Sequence, residues 1–200
     1  MPEICQDNAF CRTLTETTQR RLCRACVHMH LRPKQELVFK ESSEQVAIIV
    51  DGAVVSLFIT EDGKQKTSEM LIPGDVFHTE MNYMLALTEA KLCLCPMEVF
   101  KTFYLQCPDF TQSILTSYSS RFRRSMNYLL QLQNAASEEK VRIVLEFLKN
   151  AGVDSSSLTH ENLALLSDLN RVTVTRAIKS ITHDDQVLPS PIMKEELVEK

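Results

Sequence analysis

Two hundred residues, 44% hydrophobic and 24% charged, allow one large domain or two small ones around an ordinary core. This composition excludes a disordered tail, a collagen and a low-complexity linker. A formal net charge of −4 excludes a generally basic nucleic-acid coat but leaves room for a local basic element. No apolar run approaches the roughly 18 residues of a membrane-spanning helix, and the opening MPEICQDNAFCRTL lacks a basic-then-apolar leader. A cytoplasmic protein without a membrane partner is expected. In that compartment seven cysteines are not by default a disulfide framework.

Leu14-Thr15-Glu16 has the form of a helix N-terminus. Apolar residues at Leu22, Cys26 and Met29 carry that helix toward Pro33, which bounds it. From 36 to 100 the pattern changes to short apolar runs: ELVF, VAIIV, AVVSLFI, EMLI, DVF and KLCLC. They are separated by Asp51-Gly52, Glu61-Asp62-Gly63 and Pro73-Gly74-Asp75, where glycine tolerates the positive φ of tight turns. Short strands at this spacing predict a small β-barrel or jelly roll. His28 and His30 flank Met29 and precede the predicted strands; a metal pair is one reading, a partly exposed polar face the plainer one.

After Pro108 the pattern is helical. Leu115, Tyr118, Phe122, Met126, Leu129 and Leu130 recur at three- and four-residue steps. One reading is a core helix packed on its own barrel. The other is an intersubunit seam, favoured because the repeat outruns any plausible barrel length. SEEKVRIVLEFLKNAG follows as a further helix, with Ser137 as its N-cap and Gly152 as its C-cap.

The segment 158–181 carries the functional signal. Thr159 can cap a short helix through Leu166, and a break at Ser167-Asp168-Leu169-Asn170 puts Asp168 where an interhelical turn needs a left-handed residue. A second helix runs over 171–181. Ala164, Leu169, Val174 and Ile178 are spaced as the wedge of a helix-turn-helix. Asn170, Arg171, Val172, Thr173, Thr175, Arg176 and Lys179 form the candidate DNA-binding set, and no Asp or Glu occurs over 169–183. Arginine can grip guanine or phosphate bidentately, and threonine can contact either.

IIVDGAVVSL, TEDGKQ, IPGDVF, ALTEAKLCLCPMEVF, EEKVRIVLEFL and LTHENLALLSDLNRVTVTRAIKSI, in that order, resemble the CRP/FNR superfamily of bacterial transcription regulators over nearly the whole chain. The resemblance implies an α+β protein in three parts. An N-terminal helix and cyclic-nucleotide-binding-like jelly-roll barrel would occupy 1–109, a dimerisation helix 110–134, and a winged helix-turn-helix with a reduced wing 135–200. It further implies a homodimer reading palindromic double-stranded DNA, RNA polymerase as a partner, a signal received in the barrel, and no enzyme activity. Leu115, Tyr118, Phe122, Met126 and Leu129 become the expected dimer interface. Two departures concern DNA. The recognition helix opens Arg171-Val172 rather than Arg-Glu, and the residues after Ile181 hold no convincing hairpin.

The barrel's signal is read as something other than cyclic AMP. Relatives that bind it neutralise the phosphate with an arginine after the Gly-Asp/Glu turn, and 76–92 contains none. Cys5, Cys11 and Cys93 partly match the pattern of the FNR oxygen sensor, so an iron–sulfur cluster or a reversible disulfide is open, and His78 is a possible haem ligand. Buried cysteines acting as small hydrophobes are the plainest account. A second functional reading is a redox or small-molecule-binding barrel dimer that has lost efficient DNA binding.

Overall fold

In the run QVAIIVD, Val46, Ile48 and Val50 project to one side and Ala47 and Ile49 to the other, and all five are buried. A strand covered on both faces reads as an unbroken apolar run, which is how strand β3 (Gln45–Asp51) is written. The computed structural model describes residues 8–39, 44–61, 63, 65–79, 83–153 and 158–184, with side chains through Ile181. It divides into two compact units, 1–125 and 126–200.

In the first unit, helix α1 (Glu16–Ala25) leads to β1 (Val27–Leu31), β2 (Glu36–Val38), β3, β4 (Val54–Ile59), β5 (Gln65–Leu71), β6 (Val76–His78), β7 (Tyr83–Ala86) and β8 (Ala90–Pro96). Two four-stranded sheets form, in the orders β1-β8-β3-β6 and β2-β7-β4-β5, with every pairing antiparallel. This is the jelly roll the turn spacing predicts. Leu31, Ala47, Ile49, Val54, Leu71, Met84, Leu92 and Leu94 belong to its inner core. At Asp51-Gly52 the chain passes so close to Glu89 that a Cβ on Gly52 (φ +76°) would lie 2.0 Å from a backbone oxygen.

The structure corrects several boundaries. The first helix ends at Ala25 and does not extend toward Pro33. Cys26 is already extended, and Met29 sits in a strand because 27–31 pairs with β8, a long-range partner that local periodicity does not reveal. His28 and His30 therefore lie on a barrel strand and do not precede the barrel. Strand β7 and helix α2 (Met97–Gln106) are additional elements; α2 stops at Cys107, and Pro108 opens α3 (Pro108–Asn134). Proline at the first helical position forfeits an N–H that has no intrahelical partner there anyway.

The outer face of the first sheet is covered by a second core. Phe10, Cys11, Leu14, Leu22, Cys23, Cys26, Phe103, Cys107, Phe110 and Ile114 pack over Val46, Ile48, Val50, Cys93 and Cys95. The N-terminal segment is tied into it. Asn8 donates to the carbonyls of Ile49 (2.6 Å) and Val50 (3.2 Å) and accepts from the amides of Phe10 and Cys11. Asp109 at the start of α3 accepts from Thr15 N (2.8 Å) and Thr18 Oγ1 (3.3 Å). Desolvation pushes its carboxyl up, but these donors outweigh it and hold the group below its ordinary range.

The second unit begins in the last turns of α3 and continues through α4 (Ser137–Asn150), α5 (His160–Ser167) and α6 (Arg171–Asp184), packed pairwise. Its buried side chains include Val141, Val144 and Leu148 from α4, Leu163 and Leu166 from α5, and Val174, Ile178 and Ile181 from α6. Ser137 is the first residue inside α4; Ala136 holds the cap position, without a side-chain bond. Tyr128 of α3 donates to the carbonyl of Leu166 (2.9 Å) and tilts against Phe147 at 5.0 Å, and burial raises its phenol above its ordinary value. The expected wing, after Ile181, lies outside the residues whose side chains are described.

Candidate nucleic-acid interface

Helices α5 and α6 are joined by the turn that the sequence predicts. Thr159 and Asn162 form a reciprocal capping box: Thr159 N donates to Asn162 Oδ1 at 2.9 Å, and Asn162 N to Thr159 Oγ1 at 3.3 Å. Asp168 closes α5 in the left-handed region (φ 53°, ψ 44°), and Leu169 N returns to the carbonyl of Ala164 at 3.0 Å. Asn170 Oδ1 then accepts from Thr173 N at 2.8 Å and starts α6. Ala164, Val174 and Ile178 are buried and Leu169 half-buried, so the predicted wedge forms.

The candidate contact residues separate into two groups. Arg171, Val172, Arg176 and Lys179 are exposed, with Val172 at 59%. The others have structural work. Asn170 is exposed, but its carbonyl caps α6. Thr173 is half-buried. Thr175, expected on the exposed face, is half-buried because its Oγ1 bonds the carbonyl of Arg171 (2.9 Å) and Nδ1 of His160 (3.0 Å). His160 itself was not singled out by the sequence; it is a buried polar side chain tying the start of α5 to α6.

Along α3, Leu115, Phe122, Met126, Leu129 and Leu130 are exposed, Phe122 at 68%. Tyr118 instead packs partly against the outer core of the first unit. The opposite side of the same helix is bound to the barrel by residues that sequence reasoning missed. Arg124 pairs with Asp75. Arg121 pairs with Glu69 (3.1 Å), donates to the carbonyl of Val76 and lies over the rings of Phe77 and Tyr118. Ser125 donates to Glu69 (2.8 Å), and Ser117 to the carbonyl of Gly74 (3.0 Å). Asp75 therefore has the counter-charge that a search of 76–92 does not find. The signal was the cluster Arg121-Phe122-Arg123-Arg124, whose inward members cannot be picked out before the helix is docked.

The sensor candidates are placed as follows. Cys5 lies outside the described residues. Cys11 is 2% exposed, because Asn8 pins the preceding turn and Phe10 packs edge-on to Phe110. Cys93 is buried, with Sγ 3.1 Å from Nδ1 of His28. His30 pairs with Glu89 at 2.9 Å, so the two histidines serve different partners. His78 is half-buried on β6, opposite Val46. Among the described residues no three His, Cys, Asp or Glu side chains are grouped to hold a metal ion, and none of the described helices is long and apolar enough to cross a membrane.

No protein-family model matches the chain. In structure it is similar to FixK2 from Bradyrhizobium japonicum, with TM-score 0.65 and 18% identity over 80% of this chain and 85% of that one. It is also similar to a transcriptional regulator of the CRP/FNR family from Eubacterium rectale, with TM-score 0.61 and 14% identity over 92% and 91% of the two chains. The chain shares the fold of these regulators. In sequence the chain is similar to the anaerobic regulatory protein of Haemophilus influenzae, 26% identical over 117 residues, covering 54% of this chain and 46% of that protein. The chain spans about half the length of the curated relatives it matches. Those relatives are named as regulators, not as enzymes.

Proposed function

We propose that the chain is a sequence-specific DNA-binding transcription regulator. It works as a homodimer through the exposed face of α3, receives its signal in the N-terminal barrel, and acts on RNA polymerase at its target promoters. The proposed division follows function: 1–109 senses, 110–134 dimerises and 135–200 binds DNA. The observation that carries the reading is the α5–Asp168–α6 turn, whose second helix buries Val174 and Ile178 and leaves Arg171, Arg176 and Lys179 exposed in a stretch without acids. That is the local positive element an acidic chain needs to approach phosphates, and arginine supplies bidentate readout. Val172 offers an apolar contact suited to a thymine methyl.

The test is selection of bound duplexes from a random pool, followed by titration at matched salt. Arg176→Ala should weaken binding to the selected site by about 1–3 kcal/mol, roughly 5- to 150-fold, with the fold intact by circular dichroism. Arg171→Ala should weaken all duplexes alike and reduce the salt slope by about one if Arg171 holds phosphate. Failure to enrich any duplex would overturn the reading in favour of a barrel dimer without efficient DNA binding.

Cyclic AMP is not the proposed signal. Both guanidinium groups that reach the Gly74-Asp75 turn are committed, Arg124 to Asp75 and Arg121 to Glu69 and Val76. A cyclic phosphate would have to displace a buried ion pair without bringing a compensating donor. Calorimetry is expected to give no saturable heat with cyclic AMP; micromolar binding would refute this. Nor do the described residues assemble an iron–sulfur site. Such a cluster takes four thiolates, whereas Cys11 and Cys93 are packed as core side chains and the described residues hold no group of three ligands.

A further inference from the structure

The two buried cysteines of β8 each meet a chemically reactive partner across the same strand pair. Val27 pairs with Leu94 and His28 with Cys93, so the register carried back one residue sets Cys26 opposite Cys95. Cys26 is extended (φ −94°, ψ 151°), so it continues the strand although it formally caps α1. The two thiols meet: Cys26 Sγ hydrogen-bonds Cys95 Sγ. Residues facing each other in an antiparallel pair have Cα atoms about 4.5–5.5 Å apart, inside the span that a disulfide bridges without backbone movement.

From this geometry we propose that Cys26 and Cys95 form a peroxide-sensitive dithiol that closes to a disulfide and staples the end of α1 to β8. The oxidant class is a hydroperoxide. The thiolate of one cysteine attacks one peroxide oxygen, giving the sulfenic acid and hydroxide. Sγ of the other then attacks the sulfenic sulfur, its proton and the departing hydroxide leave as water, and the S–S bond forms. Counting the proton that the first cysteine releases, two thiols and one hydrogen peroxide give one disulfide and two waters.

The geometry makes the two thiols interchangeable in the first step: they face each other across the strand pair, and Cys95 Sγ also donates to the carbonyl of Pro96 (3.6 Å). Cys26, 8% exposed, is the more open of the two; Cys95 is fully buried, which restricts entry to a small oxidant. Cys93 is a poorer partner for either because its Sγ faces His28.

This proposal is independent of DNA binding, and so is its test. The full-length reduced chain is treated with hydrogen peroxide, quenched, denatured in N-ethylmaleimide and digested for mass spectrometry. The expected product is a peptide pair joined through Cys26 and Cys95, two hydrogens lighter than the separate peptides and parted by dithiothreitol. In Cys26→Ala and in Cys95→Ala the remaining thiol should stop at the sulfenic acid, which dimedone then labels. The wild-type map does not depend on that variant folding. Recovery of both residues as N-ethylmaleimide adducts after peroxide, or of either joined to another cysteine, would overturn the assignment.

Discussion

Phe110→Ala should lower the stability of the N-terminal unit by about 3–5 kcal/mol, the range for emptying a fully buried aromatic site. Phe110 is fully buried at the start of α3, with the rings of Phe10, Phe100 and Phe103 at 5.8, 5.3 and 5.6 Å. Those neighbours come from the N-terminal segment and α2, so one deletion loosens three elements that cover the first sheet. Collapse around the void is restricted because Asn8 and Asp109 hold the adjacent backbone. Urea denaturation, followed by a probe of the N-terminal unit, should show a lower midpoint with the slope preserved. A loss below about 1 kcal/mol would put the site among ordinary surface-like positions and refute the packing argument.

Phe122→Asp should convert the proposed dimer to monomer. Phe122 is 68% exposed midway along α3, and Leu115, Met126, Leu129 and Leu130 are exposed on the same helix at heptad-like intervals. Large apolar side chains repeated along an exposed helix mark an interface. A carboxylate placed in a dry seam loses its hydration without a partner, an effect of several kcal/mol per subunit. Phe122 belongs to neither core of the N-terminal unit, so the substitution spares both. Sedimentation equilibrium reads the outcome directly; a variant that remains dimeric would remove α3 from the proposed interface. DNA affinity should fall with it, since two half-sites about 34 Å apart must be engaged together.

Local chemistry determined much of this protein in the sequence itself. Glycine marks the turns because few residues tolerate their backbone, the one at Gly63 closing the β4–β5 hairpin and Asp51-Gly52 carrying the chain from one sheet to the other, and the apolar run of β3 announces a strand covered on both sides. The helix-turn-helix is held by bonds spanning three to five residues, so its Thr159 cap, its Asp168 turn and its apolar wedge were legible, while the capping roles of Asn162 and Asn170 were not.

Other features were decided by tertiary structure. Residues 27–31 are a strand because β8 offers a pairing edge; on their own, Leu22, Cys26 and Met29 repeat like a helix. Arg121 and Arg124 become barrel residues only when α3 docks, since a helix carries charge on every side until one side is covered. Thr175 is drawn from the candidate DNA face by His160, fifteen residues earlier in the chain. Cys11 is buried because Asn8 reaches carbonyls more than forty residues away. The meeting of Cys26 with Cys95 likewise depends on strand register, which is fixed by which face each strand must bury and not by any motif in either segment.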